Sequence, residues 1–159
     1  MSFAIEISVE AGAWQKLSGA EGIVRRAAEA ALAETSASGV EIGVVLTDDA
    51  KMRALNRTWR GKDTATNVLS FPAPAGGSKE PRLMGDVVLA YETIAREAAE
   101  QRIPAQDHLA HLTVHGVLHL LGHDHENDRD ADTMERRERE ILAQLGVPDP
   151  YARAEATVA

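Results

Sequence analysis

The chain has 159 residues, enough for one domain with a substantial core, and 44% of them are hydrophobic. Its formal net charge of −8 predicts that most of its surface repels nucleic acid, so a nucleic-acid contact would require a local basic patch. It contains no cysteine, which excludes disulfides and thiolate metal sites and is compatible with the reducing cytoplasm.

Neither a membrane span nor a signal peptide is predicted. No apolar run approaches the roughly 18 residues of a membrane helix. The first ten residues, MSFAIEISVE, lack the basic and apolar regions of a signal peptide. We therefore expect one cytoplasmic domain over 1–159 with no membrane contact.

Hydrophobic periodicity and turn residues predict the element order β-α-β-α-β-β-α-α-α. The strands are expected at about 3–9, 40–47, 67–73 and 84–91. The helices are expected at about 21–34, after Asp48 or Asp49, and at about 92–102, 106–121 and 130–145. The third and fourth strands are close in sequence and are expected to pair antiparallel. This order indicates an α+β fold with a mixed four-stranded sheet packed by about five helices.

Two amphipathic helices predict which side chains reach the core. In the second helix, Met52, Leu55 and Trp59 are expected on the core face, although an exposed Trp59 could instead stack on a base. In the last helix, the apolar stripe contains Met134 and Ile141, and the charged residues within 126–140 are expected on an exposed face.

Five of the six histidines lie within 111–125, which reads HLTVHGVLHLLGHDH. The helix that carries most of them is apolar nearly all round, which predicts a buried helix. On it, His108, His111, His115 and His119 fall on one stripe, and a buried ring without a partner costs about 1–3 kcal/mol. A single such histidine is best explained as a core residue, but a stripe ending in GHDH favours a metal site, because one ion satisfies several rings.

Helix geometry limits which histidines can share an ion. His111 and His119 are roughly 12 Å apart along the helix, too far for ligands about 2.1 Å from one metal. The chain turns back only onto the last turns of the helix, which favours His115 and His119 as the pair. Either His123 or His125 supplies the third ligand, and the longer reach of His125 favours it. Three imidazoles with an open fourth position are typical of a catalytic zinc site, where bound water is acidified toward a pKa of ~7.

The residue after His115 argues against a zinc protease. Its His-Glu-x-x-His motif uses the glutamate as general base, and here Gly116 occupies that place.

A concentrated basic surface is predicted on the second helix and the turn after it. Arg53, Arg57 and Arg60 lie on the side away from the core, and Lys62 follows. Arg53 and Arg57 are as easily explained by a solvated face. Arg60 lies where the helix ends, and a guanidinium there can bind a phosphodiester through two hydrogen bonds.

Three further residues are expected beside the predicted metal ligands. Asp86 is expected either to orient a ligand histidine or to serve as a structural carboxylate at a strand end. His111 and His123 are expected close to the ligands without being part of the preferred set.

Two long motifs carry a family resemblance. Residues 111–125 resemble the His-Gly-x-Leu-His-Leu-x-Gly-Tyr-Asp-His signature of the YbeY family of bacterial endoribonucleases. Residues 55–72, LNRTWRGKDTATNVLSFP, resemble that family's second block, and the segments MGDVVLA and ILAQLGVPDPY are also similar to it. The similarity runs in order over about 40–151. His123 departs from the signature's tyrosine, and Asn67 stands where aspartate is often found.

The resemblance implies a zinc-dependent endoribonuclease specific for single-stranded RNA. It implies a role in maturing the 3′ end of small-subunit ribosomal RNA and in ribosome quality control, in contact with the ribosome or its proteins. It implies one zinc ion per chain on His115, His119 and His125, with Arg60 as the basic active-site residue. Arg57 and Lys62 are expected to assist substrate binding.

Two other functions are alternatives. One is a non-catalytic, zinc-containing ribosome-assembly factor. The other is a metal-dependent hydrolase of peptides or small molecules.

Overall fold

A computed structural model describes residues 3–33, 39–73, 82–122 and 128–152. Within these ranges the strands and helices follow the predicted order, with an additional short 3-10 helix at Gly12–Lys16 that was not predicted. The bounds are β1 Phe3–Val9, α1 Ala20–Leu32, β2 Val40–Thr47, α2 Asp49–Arg60, β3 Val68–Pro72, β4 Arg82–Ala90, α3 Tyr91–Gln101, α4 Ala105–Leu120 and α5 Asp128–Gln144. No helix in the described ranges is long and apolar enough to cross a bilayer.

The four strands form one sheet in the order β1-β2-β4-β3. Strands β1, β2 and β4 run parallel, and β3 pairs antiparallel with β4. The predicted mixed sheet and the antiparallel pairing of β3 and β4 are therefore confirmed. Strand β3 lies at an edge, where the missing N–H of Pro72 is tolerated because no strand in the described part of the chain pairs with that side.

Helix α4 lies against one face of the sheet and is buried, as its apolar sequence predicts. Leu109, Val114, Val117 and Leu118 are all 0% exposed and belong to the main core, which also contains the buried face of α1. Helix α5 contributes Met134 and other members of its apolar stripe to the same core.

Gly116 allows α4 to approach the sheet closely. A Cβ at this position would lie 2.7 Å from Cγ1 of Val87 and 3.2 Å from Cγ2 of Val68, which are closer than normal contacts. The hydroxyl of Ser70 on β3 donates a hydrogen bond of 2.8 Å to the carbonyl oxygen of Gly116. The second half of α4 is thereby fixed against the β3 edge of the sheet.

Helix α2 lies on the opposite face, and its predicted core face is only partly correct. Met52 is fully buried and packs with Leu69 and Val88, but Trp59 is 68% exposed and therefore not a core residue. Trp59 lies in the last turn of α2, where it contacts Phe71 of the edge strand edge-on with ring centroids 6.2 Å apart. Because β3 is an edge strand, no further strand in the described ranges covers the indole.

Replacing Gly116 by alanine should destabilise the protein. Overpacking a close contact costs about 1–3 kcal/mol, which exceeds the gain of about 1 kcal/mol in helix propensity. Gly22 is the matched control because it lies at an exposed position of α1 and its added Cβ would meet only the flexible end of Arg26, at 3.3 Å. Gly22→Ala should leave the free energy of unfolding unchanged or raise it by up to about 1 kcal/mol. Urea unfolding of both variants measures the difference, and equal stabilisation by both would contradict the close packing.

Candidate active site

A cavity of about 350 Å³ opens where the end of α2, the edge strand β3 and the second half of α4 meet. Its lining residues are Arg60, Asn67, Val68, Leu69, Ser70, Pro72, His115 and His119. The structure therefore brings together the predicted catalytic arginine and the two histidines predicted to form the metal-binding pair.

His111, His115 and His119 lie on one partly buried line of α4, whereas His108 and the other side chains of 108–120 are buried. His115 and His119 are one turn apart, and their ring centroids are separated by 4.8 Å. The rings of His111 and His115 are farther apart, at 6.4 Å. Of these two histidine pairs, each four residues apart in sequence, the pair His115 and His119 has its rings closer together, and both of its members line the cavity.

A buried carboxylate from α5 holds two of these rings. Glu138 is 0% exposed, and its Oε1 accepts a hydrogen bond of 2.5 Å from Nδ1 of His115. Its Oε2 accepts one of 2.9 Å from Nε2 of His111 and another from the hydroxyl of Tyr151. The predicted exposed charged face of α5 is thus wrong at this position. Glu138 is four residues after Met134 and three before Ile141, so it lies on the apolar stripe.

The electrostatics of this cluster favour an ionised Glu138. Burial raises the pKa of its carboxyl, but the hydrogen bonds and charge interactions with His111 and His115 together outweigh burial and lower that pKa to about 2. Burial and the neighbouring Glu138 charge raise the pKa of Tyr151, so its hydroxyl remains a donor. His111, predicted to lie beside the ligands, is held by this carboxylate.

The structure does not bring Asp86 to the histidines. Its neighbours Val87 and Leu89 face α4 in the main core, whereas Asp86 and Val88 point to the opposite face, where α2 packs. Asp86 is exposed, and its carboxylate covers Gly43 of the adjacent strand, because a Cβ on that glycine would lie 2.2 Å from Oδ1. The carboxylate beside the histidines comes from α5 instead.

Asn67 is joined to a carboxylate from α3. Oε1 of Glu97 accepts hydrogen bonds from Nδ2 of Asn67, at 2.9 Å, and from Nε2 of His108, at 2.8 Å. Burial lowers the pKa of His108, against the opposing effect of the Glu97 hydrogen bond. Although Asn67 itself has no charge, its side chain is hydrogen-bonded to the carboxylate of Glu97.

The basic residues of α2 differ in their surroundings. Arg53 makes two hydrogen bonds of 2.9 Å to the carboxylate of Asp63, and Nη1 of Arg57 lies 3.9 Å from the same group. Arg60 lines the cavity, and Lys62 is exposed in the turn that follows.

The turn after Arg60 is fixed from inside α2. Nδ2 of the buried Asn56 donates a hydrogen bond of 2.9 Å to the carbonyl oxygen of Thr64. Gly61 has a φ of 70°, a left-handed conformation that glycine adopts without strain. The helix therefore ends directly after Arg60, and the chain turns toward β3.

The remaining predicted ligands, His123 and His125, lie outside the described residues. Within the part of the chain that the structure describes, no group of three or more His, Cys, Asp or Glu side chains is arranged to hold a metal. Two of the three predicted zinc ligands, His115 and His119, therefore lie in the described part of the chain.

Comparison with known proteins gives a consistent result. The sequence matches the family model described as Endoribonuclease YbeY over residues 7–146. A protein of that name from Nitrobacter hamburgensis is 50% identical over 159 aligned residues, which cover 96% of this chain and 84% of the relative. Another from Rhodopseudomonas palustris (strain BisB18) is 54% identical over 155 residues, covering 94% of this chain and 92% of the relative.

The fold is similar to that of a solved structure. A solution structure of a Thermotoga maritima protein superposes with a TM-score of 0.56 at 23% identity, covering 89% of this chain and 91% of that one. At this level of identity the similarity shows the fold alone.

Proposed function

The chain belongs to the endoribonuclease YbeY family, and on that premise we propose that it is a zinc-dependent endoribonuclease specific for single-stranded RNA. The proposed substrate is the 3′ end of small-subunit ribosomal RNA, and the proposed role includes ribosome quality control in contact with the ribosome or its proteins. The observation that carries the catalytic part is the cavity that Arg60 shares with His115 and His119. The cytoplasmic location stays a prediction of the sequence.

The proposed ligands of one zinc ion are His115, His119 and His125. The donor set of the described pair fits a zinc ion, because two imidazoles one helical turn apart have ring centroids 4.8 Å apart beside a cavity. Glu138 accepts a hydrogen bond from Nδ1 of His115, so the neutral ring carries its lone pair on Nε2. That is the tautomer that binds a metal through Nε2.

The residues of the cavity have different proposed roles in the cleavage of a phosphodiester. When bound, zinc supplies Lewis acidity, which lowers the pKa of water toward about 7 and polarises a phosphoryl oxygen. Arg60 neutralises the phosphate charge through two parallel hydrogen bonds and stabilises the additional charge of the transition state. Asn67 is held by Glu97 in a fixed orientation at the cavity wall. Arg57 and Lys62 extend the positive surface toward neighbouring phosphates.

The exposed indole of Trp59 supports a preference for unpaired RNA. Trp59 directly precedes Arg60 in the last turn of α2, is 68% exposed, and contacts Phe71 of β3. An unpaired base can stack on an exposed indole, whereas bases inside a duplex are already stacked on one another. We therefore propose that Trp59 stacks on a base beside the phosphate that Arg60 binds.

The alternatives are less well supported. A peptidase would need a glutamate after His115, but a Cβ at Gly116 would already lie 2.7 Å from Val87. A purely structural metal site would not explain why Arg60 lines the same cavity as the histidine pair.

We expect the full chain to contain one tightly bound zinc ion. Replacement of His115, His119 or His125 by alanine should lower the zinc content measured by metal analysis, because each removes one ligand. His123→Tyr is the matched control and should keep zinc, because the family signature has tyrosine there. Full zinc occupancy in His125→Ala, together with zinc loss in His123→Tyr, would instead identify His123 as the third ligand.

Cleavage of single-stranded RNA should depend on bound zinc. We expect the full chain to lose activity on chelation, regain it with zinc, and spare a duplex of the same sequence. Zinc binding without cleavage would favour the assembly-factor alternative.

Arg60→Ala should separate catalysis from folding. Arg60 is exposed, so the free energy of unfolding should change by no more than about 0.5 kcal/mol, with zinc content unchanged. Cleavage of single-stranded RNA should fall by about two to three orders of magnitude, because one preorganised charge-stabilising group is lost. Lysine should restore activity only in part, since it cannot make the two parallel hydrogen bonds.

Arg26→Ala is the control for Arg60→Ala, because it removes the same charge from an exposed position on α1. It should leave cleavage unchanged. Equal rates for wild type and Arg60→Ala at matched zinc occupancy would remove Arg60 from the mechanism.

Two substitutions of Trp59 should separate stacking from simple apolar contact. Trp59→Leu should weaken binding of single-stranded RNA by about tenfold, since stacking contributes about 1–3 kcal/mol per base and 1.4 kcal/mol is tenfold. Trp59→Phe keeps an aromatic face and should retain most of the affinity. Fluorescence anisotropy with a labelled RNA measures both, and equal affinities for the two variants would argue against stacking.

A further inference from the structure

We propose that Glu138 is a positioning residue for the metal ligand His115, and that Tyr151 makes the C-terminal Asp149–Tyr151 turn part of the same device. The inference rests on the proposed function, because it requires that His115 bind zinc. It assigns a role to a carboxylate that is buried in the core and lies outside the cavity lining.

The two carboxylate oxygens have different partners. Oε1 is used by Nδ1 of His115, at 2.5 Å, while Oε2 accepts from His111, at 2.9 Å, and from the Tyr151 hydroxyl. His111 and Tyr151 therefore fix one end of the carboxylate, and the other end fixes the ring of His115. With Nδ1 engaged in this way, the ring can neither rotate freely nor exchange its tautomer.

The Asp149–Tyr151 turn is anchored to α5 next to Glu138. Oδ1 of Asp149 accepts a hydrogen bond of 2.9 Å from the backbone N–H of Tyr151. The guanidinium of Arg139 lies over the Tyr151 ring, 5.9 Å from its centroid, and 3.9 Å from Oδ2 of Asp149. These contacts direct the tyrosine hydroxyl into the core, where it meets the carboxylate.

Packing alone does not account for this arrangement. An apolar side chain at position 138 would continue the stripe of Met134 and Ile141, and apolar replacements of buried charged groups are often neutral or stabilising. What a carboxylate adds is directional acceptance of the His115 proton. A metal-binding imidazole whose second nitrogen donates to a carboxylate is held in position and is a stronger ligand.

Glu138→Gln tests the inference because it keeps the shape of the side chain and removes its charge. We expect the zinc affinity of the full chain, measured by competition with a chromophoric chelator, to fall about 10- to 100-fold. The visible absorption spectrum of the cobalt-loaded protein should also change, because the geometry of a ligand changes. Glu140→Gln, an exposed position on the same helix, should alter neither quantity.

Two further variants complete the test. Glu138→Asp keeps the charge but moves it away from His115, so it should also weaken zinc binding. If Glu138→Gln does not fold, Glu138→Asp tests the positioning role in its place. Tyr151→Phe removes one donor to Oε2 and should weaken zinc binding to a smaller extent. Its thermal stability without metal shows whether the loss lies in the fold or in the site.

The outcomes distinguish this inference from the proposed function. If the wild type binds no zinc, both are overturned. If the wild type binds zinc and the Glu138 variants bind it equally well with an unchanged cobalt spectrum, the positioning role alone is overturned. A Tyr151→Phe protein with wild-type zinc affinity would remove the C-terminal turn from the device.

Discussion

The charge on Glu138 in the core is the constraint on which the arrangement of the site depends. A buried carboxylate is stable only when donors surround it, and its donors come from His111, His115 and Tyr151. Those donors belong to α4 and to the turn after α5, so satisfying one charge fixes three segments relative to one another. The same contacts set the ring of His115, which joins the core to the cavity.

A second constraint places that ring beside an arginine. Gly116 lets α4 lie directly against β3 and β4, and β3 is the edge of the sheet. Helix α2 packs on the other face and ends at Arg60, close to the same edge. The guanidinium of Arg60 and the pair His115 and His119 therefore come from helices on opposite faces of the sheet, and both line the cavity beside the edge strand β3. The cavity is a consequence of this topology and of the absent side chain at position 116.

The sequence predicted the parts of the site that depend on local spacing. The pair His115 and His119 follows from helical periodicity, and Arg60 from its position at a helix end. Trp59 lies on the predicted face of α2, but its exposure depends on where the sheet ends, which periodicity does not encode. Glu138 falls on the apolar stripe of α5 but was predicted to lie on the charged surface. Its burial could not be predicted from local sequence because its hydrogen-bond donors come from distant segments. Asp86 was predicted either to orient a ligand histidine or to be a structural carboxylate at a strand end, and strand alternation directs it away from the histidines, to the opposite face.

The local structure around zinc most directly tests whether His115 and His119 are metal ligands. X-ray absorption at the zinc edge of the full chain reports the type and distance of each ligand without depending on RNA cleavage. We expect three imidazole nitrogens at about 2.0–2.1 Å from the zinc, with a light atom completing the coordination. Fewer than two imidazoles, or a shell made only of oxygen atoms, would contradict the assignment of His115 and His119 as a metal-binding pair.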